Sequence, residues 1–166
     1  MRTLLVASLA LLATPALAQN DSGFMPFVGY NLETENVRVG VGYRFGSQLS
    51  LPISLTAQPQ VEYELTDDGE GDRIQGDFNL IAELQGSNAI SPYLGAGVGL
   101  LYRDSDLDSD VDVGEINDKT TIGLNLLGGV TLNPTGFGQP FAQVRYTTAG
   151  DDDDAISIQG GLILAF

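Results

Sequence analysis

Histidine, cysteine and tryptophan are all absent from this chain of 166 residues, and lysine plus arginine number only 7. Without His or Cys there is no Ser-His or Cys-His nucleophile pair, no imidazole or thiolate metal site, no disulfide and no lipid-modified cysteine. Against the 7 basic side chains stand 22 acidic ones, a net charge of -15, which argues against nucleic acid as a partner because phosphates need a basic patch. No apolar run reaches the roughly 18 residues that a membrane-crossing helix needs. What is present in quantity is apolar surface (43%) and glycine (21 residues), too much of both for a disordered polymer. The length fits one domain.

The first 18 residues read differently from the rest. Arg2 supplies a positive start, residues 4–12 an apolar stretch, and Ala16-Leu17-Ala18 a small-x-small cleavage pattern. This is the plan of a secretory signal peptide, leaving residues 19–166 as the folded domain. The apolar stretch is too short to span a bilayer as a helix, and no Cys follows the cleavage pattern.

From there the sequence reads by twos. Val37, Val39, Val41, Tyr43 and Phe45 interleave with Arg38, Gly40, Gly42 and Arg44; Ile74, Phe78, Leu80, Ala82 and Leu84 interleave with Gln75, Asp77, Asn79 and Glu83. A period of two means strands with one apolar and one polar face. Eight are expected, at about residues 24–31, 36–45, 51–65, 73–84, 91–103, 119–132, 139–148 and 155–166, joined by segments rich in Gly, Asn, Pro and Asp. Pro92 and Pro140 fall at strand starts, where a missing N–H is tolerated.

Nine charged residues lie within these strands: Arg38, Arg44, Glu62, Glu64, Arg73, Asp77, Glu83, Arg103 and Arg145. All share the face opposite the apolar one. Such a sheet closes as a soluble carrier with its apolar face inward, or as a membrane barrel with that face toward lipid. Three features favour lipid. First, the connections after odd-numbered strands hold Glu33 and Glu35, then Asp67, Asp68, Glu70 and Asp72, then seven acids between Asp104 and Asp118, then Asp151 to Asp154; only Asp21 and the four strand carboxylates lie elsewhere. Membrane barrels have short turns at one end and longer polar loops at the other. Second, Tyr30, Tyr63, Tyr102 and Tyr146 lie on the apolar face just before these loops, with Phe24, Tyr43, Phe45 and Phe166 near the opposite end, as two aromatic girdles would. Third, five Arg and four carboxylates on one face compose an enclosed ion-pair network, since buried charges must be paired. The expected fold is all-β: an eight-stranded antiparallel up-and-down transmembrane β-barrel, filled inside at that strand number.

The chain's last residues, Gln159-Gly160-Gly161-Leu162-Ile163-Leu164-Ala165-Phe166, carry a polar-x-Gly-x-x-apolar-x-aromatic pattern, and Pro92-Tyr93-Leu94-Gly95-Ala96-Gly97-Val98-Gly99 alternates glycine with apolar residues. In these features the sequence resembles the small eight-stranded OmpX/OmpA-type barrels of Gram-negative outer membranes. The resemblance implies residence in the cell outer membrane among lipid and lipopolysaccharide. It also implies recognition of the last strand by the barrel-assembly machinery through Gln159, Gly161, Leu164 and Phe166. Enzymes of that fold, as lipid-modifying enzymes and proteases, rely on a catalytic His, which is missing here. The periplasmic cell-wall-binding domain of OmpA proteins has no counterpart in the sequence.

Between the fifth and sixth strands, Asp104, Asp106, Asp108, Asp110, Asp112 and Glu115 fall at positions 1, 3, 5, 7, 9 and 12 of a loop, an approximate calcium-loop spacing. Ser109 replaces the turn glycine and the flanks read as strands, so the segment reads first as a solvated acidic loop. No cofactor is expected beyond weak Ca²⁺ binding there. The functional expectation is a non-enzymatic, structural or surface-display barrel with acidic outer loops and a plugged polar lumen. The alternatives are a narrow outer-membrane channel or transporter for small molecules, and a soluble periplasmic lipocalin-like carrier.

Overall fold

The computed structural model describes residues 22–48, 53–66, 73–84, 89–103, 119–132, 138–149 and 154–165. They form eight strands: β1 (Gly23–Asn31), β2 (Val37–Gln48), β3 (Ile53–Leu65), β4 (Arg73–Leu84), β5 (Ile90–Arg103), β6 (Lys119–Leu132), β7 (Gln139–Thr148) and β8 (Ala155–Ala165). Each strand is antiparallel to its neighbours in sequence, and β1 pairs with β8, so the sheet closes into a barrel. Closure leaves no row of unpaired backbone groups along an edge, the condition for placing a sheet in an apolar medium.

The alternating residues build the wall directly. In β3, Ser54, Thr56, Gln58, Gln60, Glu62 and Glu64 are buried inside while Leu55, Val61 and Leu65 point out. Burial is therefore inverted relative to a protein in water: Arg145 is fully buried, whereas Leu94 is 72% exposed. Exposed aliphatic residues circle the whole barrel, which is stable only where the surroundings are themselves apolar. The soluble-carrier alternative needs the aliphatic face inward and is overturned by this orientation.

Strand ends depart slightly from the periodic reading. β2 continues past residue 45 to Gln48, and β3 opens at Ile53. The polar, glycine-containing Gly46-Ser47-Gln48 looks like a turn but stays in register with Thr56, Leu55 and Ser54. Pairing with a neighbour extends a strand beyond its own propensity.

Glycines on the inner face make room for the large polar residues. A Cβ at Gly97 would lie 2.2 Å from the Phe78 carbonyl oxygen and 2.3 Å from Asn79 Oδ1. One at Gly99 would lie 2.5 Å from Asp77 Oδ1. The Gly-x-Gly-x-Gly run of β5 is thus the flat wall against which side chains of β4 and β6 are stacked.

Candidate functional site in the barrel lumen

The lumen is built by neighbouring rungs of inward-facing residues. One rung runs Arg38, Glu64, Arg73, Arg103 across β2 to β5. Two residues deeper, the next runs Gly40, Glu62, Gln75; below it come Gly42, Gln60, Asp77, Gly99 and Gly123. The rungs place charges in successive layers, and the long side chains reach between layers.

In the central layer Arg145, reaching in from β7, donates from its two terminal nitrogens to Glu62 and to Asp77. Arg38 Nη1 donates to the same Glu62 Oε1 at 2.6 Å, and Gln159 Nε2 donates to Glu62 Oε2 at 2.8 Å. Asp77 also accepts from Gln60 (2.9 Å), Gln75 (2.8 Å) and Asn125 (2.9 Å). Every carboxylate oxygen of this layer is matched by donors, the condition for holding charge in a buried place.

At the end that leads to the acidic connections, Glu64 gathers Arg38 Nη2 at 2.7 Å, Arg73 Nη1 at 3.3 Å, Thr34 Oγ1 at 2.7 Å and Asn36 Nδ2 at 3.1 Å. The β1–β2 turn is thereby drawn across the mouth. The turn is shaped by Asn31, whose side-chain oxygen accepts the Glu33 N–H and whose own N–H donates to the Asn36 carbonyl, with Glu35 in the left-handed region at φ 58°.

The opposite end is different in kind. Met25, Phe27, Phe141 and Ile163 form one buried apolar cluster, and Ile81, Tyr93 and Leu127 another. Arg44 penetrates this region with its guanidinium carbon 4.8 Å from the Tyr93 ring centre and 5.5 Å from that of Phe141. It donates to Gln58 Oε1 (2.9 Å) and Thr131 Oγ1 (3.2 Å), with Glu83 more distant at 3.7 Å. The lumen is therefore polar in its centre and at the acidic mouth and mixed at the other end, where Arg44, Ser54 and Thr131 are buried beside apolar clusters in an interior that the sequence reading expects to be polar throughout. The signal was present in runs such as Pro26-Phe27-Val28 and Leu80-Ile81-Ala82, where both faces are apolar and alternation is silent. Tyr93, which the sequence reading does not single out, is a second inward anchor, its hydroxyl donating to Gln143 Oε1 at 2.9 Å.

On the outer wall, Tyr63 and Tyr102 sit on one rung with Ile74 between them, and Tyr30 and Tyr146 stand on the same face of β1 and β7. Tyr146 Oη donates to Asp154 Oδ2 at 2.6 Å, an aromatic ring with one wet end. Toward the other end Phe24 pairs with Tyr43, whose ring centre is 4.5 Å from that of Phe45. Of the terminal motif, Gln159 joins the lumen network and Gly161 presses on the Pro26 carbonyl, where a Cβ would come within 2.2 Å; Leu164 faces outward. Phe166, the acids Asp104, Asp106, Asp108, Asp110, Asp112 and Glu115, and residues 1–18 lie outside the described residues. Among the described residues no cluster of three or more acids is placed to hold a metal ion.

A closed eight-stranded meander, greasy outside and ion-paired inside, defines the class of small outer-membrane β-barrels, and this chain has that fold. Solved structures with the same architecture include the N-terminal β-barrel domain of Pseudomonas aeruginosa OprF (TM-score 0.63, 13% identity, 89% of this chain and 98% of that one). Ail, the attachment invasion locus protein of Yersinia pestis, aligns at TM-score 0.55 with 15% identity over 87% of this chain and 95% of its own. The outer membrane enzyme PagL aligns at 0.56 with 12% identity over 87% and 99%. No family model and no curated protein matches the sequence.

Proposed function

We propose that this chain is an integral outer-membrane barrel with no enzymatic activity, which strengthens the envelope and displays acidic loops at the surface, its lumen plugged. The observation that carries the reading is the central layer: Arg145, Arg38, Glu62 and Asp77 meet across the interior with their side chains at most 5% exposed. An ion passing through would have to part charges that lack water to replace each other, at several kcal/mol per pair. The apolar clusters beneath, with Arg44 lodged against Tyr93 and Phe141, add a second obstruction.

PagL shows that the barrel fold also hosts an enzyme, so the fold by itself leaves activity open. The non-enzymatic reading rests on residues instead. The chain contains no His or Cys, and among the described residues the lumen carboxylates Glu62, Glu64 and Asp77 are engaged by arginines, amides and the Thr34 hydroxyl rather than left as free bases. In this reading residues 1–18 direct export, the β8 motif ending at Phe166 engages the assembly machinery, and the wall meets lipid and lipopolysaccharide. Planar-bilayer recordings of reconstituted protein test the plug: absence of steady open levels is expected, and stable conductance steps would replace this reading with that of a narrow channel.

A further inference from the structure

The outer wall is uneven. Around β5 and β6 it is studded with protruding side chains, with Leu94, Ile122 and Leu126 each more than 60% exposed. Across β8, β1, β2 and β3 it dips into a shallow, open groove of about 590 Å³. Val28, Val39, Val41, Val61 and Leu162 line its sides, and Pro26 and Gly160 its floor.

Two sequence features make the hollow. Gly160 is an outward position flanked by Val28 on β1 and Ala142 on β7. A Cβ there would meet nothing nearer than the Phe141 carbonyl at 3.6 Å, so the glycine is not needed for packing within the barrel. Pro26 turns its carbonyl toward β8 beside Gly161 and has no N–H to offer in return. The β1–β8 ladder accordingly omits the rungs at Met25 and Pro26. The closing seam of the barrel is thus thinnest beneath the groove.

We propose that this groove seats one acyl chain of a bilayer lipid as a resident ligand. The inference rests on the membrane reading, and the occupant follows from position. Tyr63 of one aromatic belt borders the groove, and Phe24 and Tyr43 of the other lie beyond its far end, so it is continuous with the lipid-facing band and out of reach of water-soluble molecules. No charged side chain lines it, so recognition stops at the hydrocarbon and makes no choice of headgroup. The depression offers a flexible apolar chain contact on more sides than the convex β5–β6 wall does.

The test reconstitutes the protein into vesicles of dioleoyl phosphatidylethanolamine and phosphatidylglycerol, confirms insertion by flotation, and counts retained lipids by native mass spectrometry from mild detergent. Gly160→Leu and the strand-favouring Gly160→Val fill the floor; Ala96→Leu adds to the opposite wall the three carbons that Gly160→Val adds. One retained lipid of either headgroup is expected on the native chain and on Ala96→Leu, falling at least about tenfold in both Gly160 variants as side-chain atoms displace methylene contacts. A floating barrel that retains no lipid, retains it equally in the Gly160 variants, loses it equally in Ala96→Leu, or appears as a dimer in its place overturns the groove alone. A chain that fails to float overturns the membrane reading and this inference with it.

Discussion

Arg145 shows how single residues decide the interior. It is fully buried, its charge is permanent, and Glu62 and Asp77 are its only direct carboxylate partners among the described residues. Truncation to Ala removes one positive charge from a layer holding two carboxylates, and breaking a buried pair this way costs about 3–5 kcal/mol. Urea titration of protein refolded into vesicles should show that loss for Arg145→Ala. The triple variant Arg145→Met, Glu62→Gln, Asp77→Asn should recover much of it, since no uncompensated carboxylate is left; an Arg145→Ala midpoint equal to the native one would remove the network as a source of stability. Asp154 offers a milder test at the rim. Hydrogen bonds from Tyr146 and Thr148 hold its carboxyl below the usual carboxylate range. Its ionised form is thus favoured by folding, a contribution present above the ordinary carboxylate pKa and lost as pH falls through the lowered value. In Tyr146→Phe the Asp154 titration, followed by carboxyl NMR, should move up toward the ordinary range; an unmoved midpoint would mean the bond does not form in solution. The face on which each of these charges lies was legible from parity alone. Which charge meets which was not, because partners such as Arg145 and Glu62 are 83 positions apart and come together only through closure.

At the scale of elements, parity placed all eight strands, and failed where a segment's neighbour outweighed its own composition, as in Gly46-Ser47-Gln48. It was also silent where both faces are apolar, so the clusters around Phe27 and Ile81 were invisible beside the charged rungs. The β1–β2 turn was legible only as an acidic connection. Its function as a strap depends on Thr34 and Asn36 reaching Glu64 on β3, a contact that no local pattern carries. Glu64→Ala removes the anchor of both donors and leaves Arg38 with Glu62 and Gln75. Hydrogen bonds to a charged group are worth about 1.5–3 kcal/mol, so amide exchange at Asn31 and Glu33 should quicken at least about tenfold while the β4–β5 amides hold. Uniform quickening through the barrel would instead make Glu64 a global stabiliser, and no quickening would deny the strap.

The whole molecule is set by one inversion, aliphatic side chains outward and ions inward, and its consequences differ in sign between water and lipid. Acid placed after every odd strand and on no even connection was enough to give the barrel two unlike ends before any contact was known. What could not be read was how the wall departs from a uniform cylinder, because the groove arises where Pro26 interrupts the β1–β8 seam two residues from the Val28–Gly160 pair. The surroundings of that wall can be tested at Leu126, which lies near the middle of β6 and is 61% exposed. In water an exposed Leu→Arg change is close to neutral, within about 0.5 kcal/mol, and improves solubility. In a bilayer the same charge near the midplane costs about 2–4 kcal/mol, falling toward zero at the interfaces. Leu126→Arg should therefore lower the unfolding free energy in vesicles by that larger amount, while Thr120→Arg, on the same face at the strand's acidic end, should cost less than about 1 kcal/mol. The depth dependence is the decisive part: a general packing defect would scale with burial, and Leu126 is among the more exposed residues of the chain. Equal, small effects at both positions would place the wall in water and remove the barrel from the membrane.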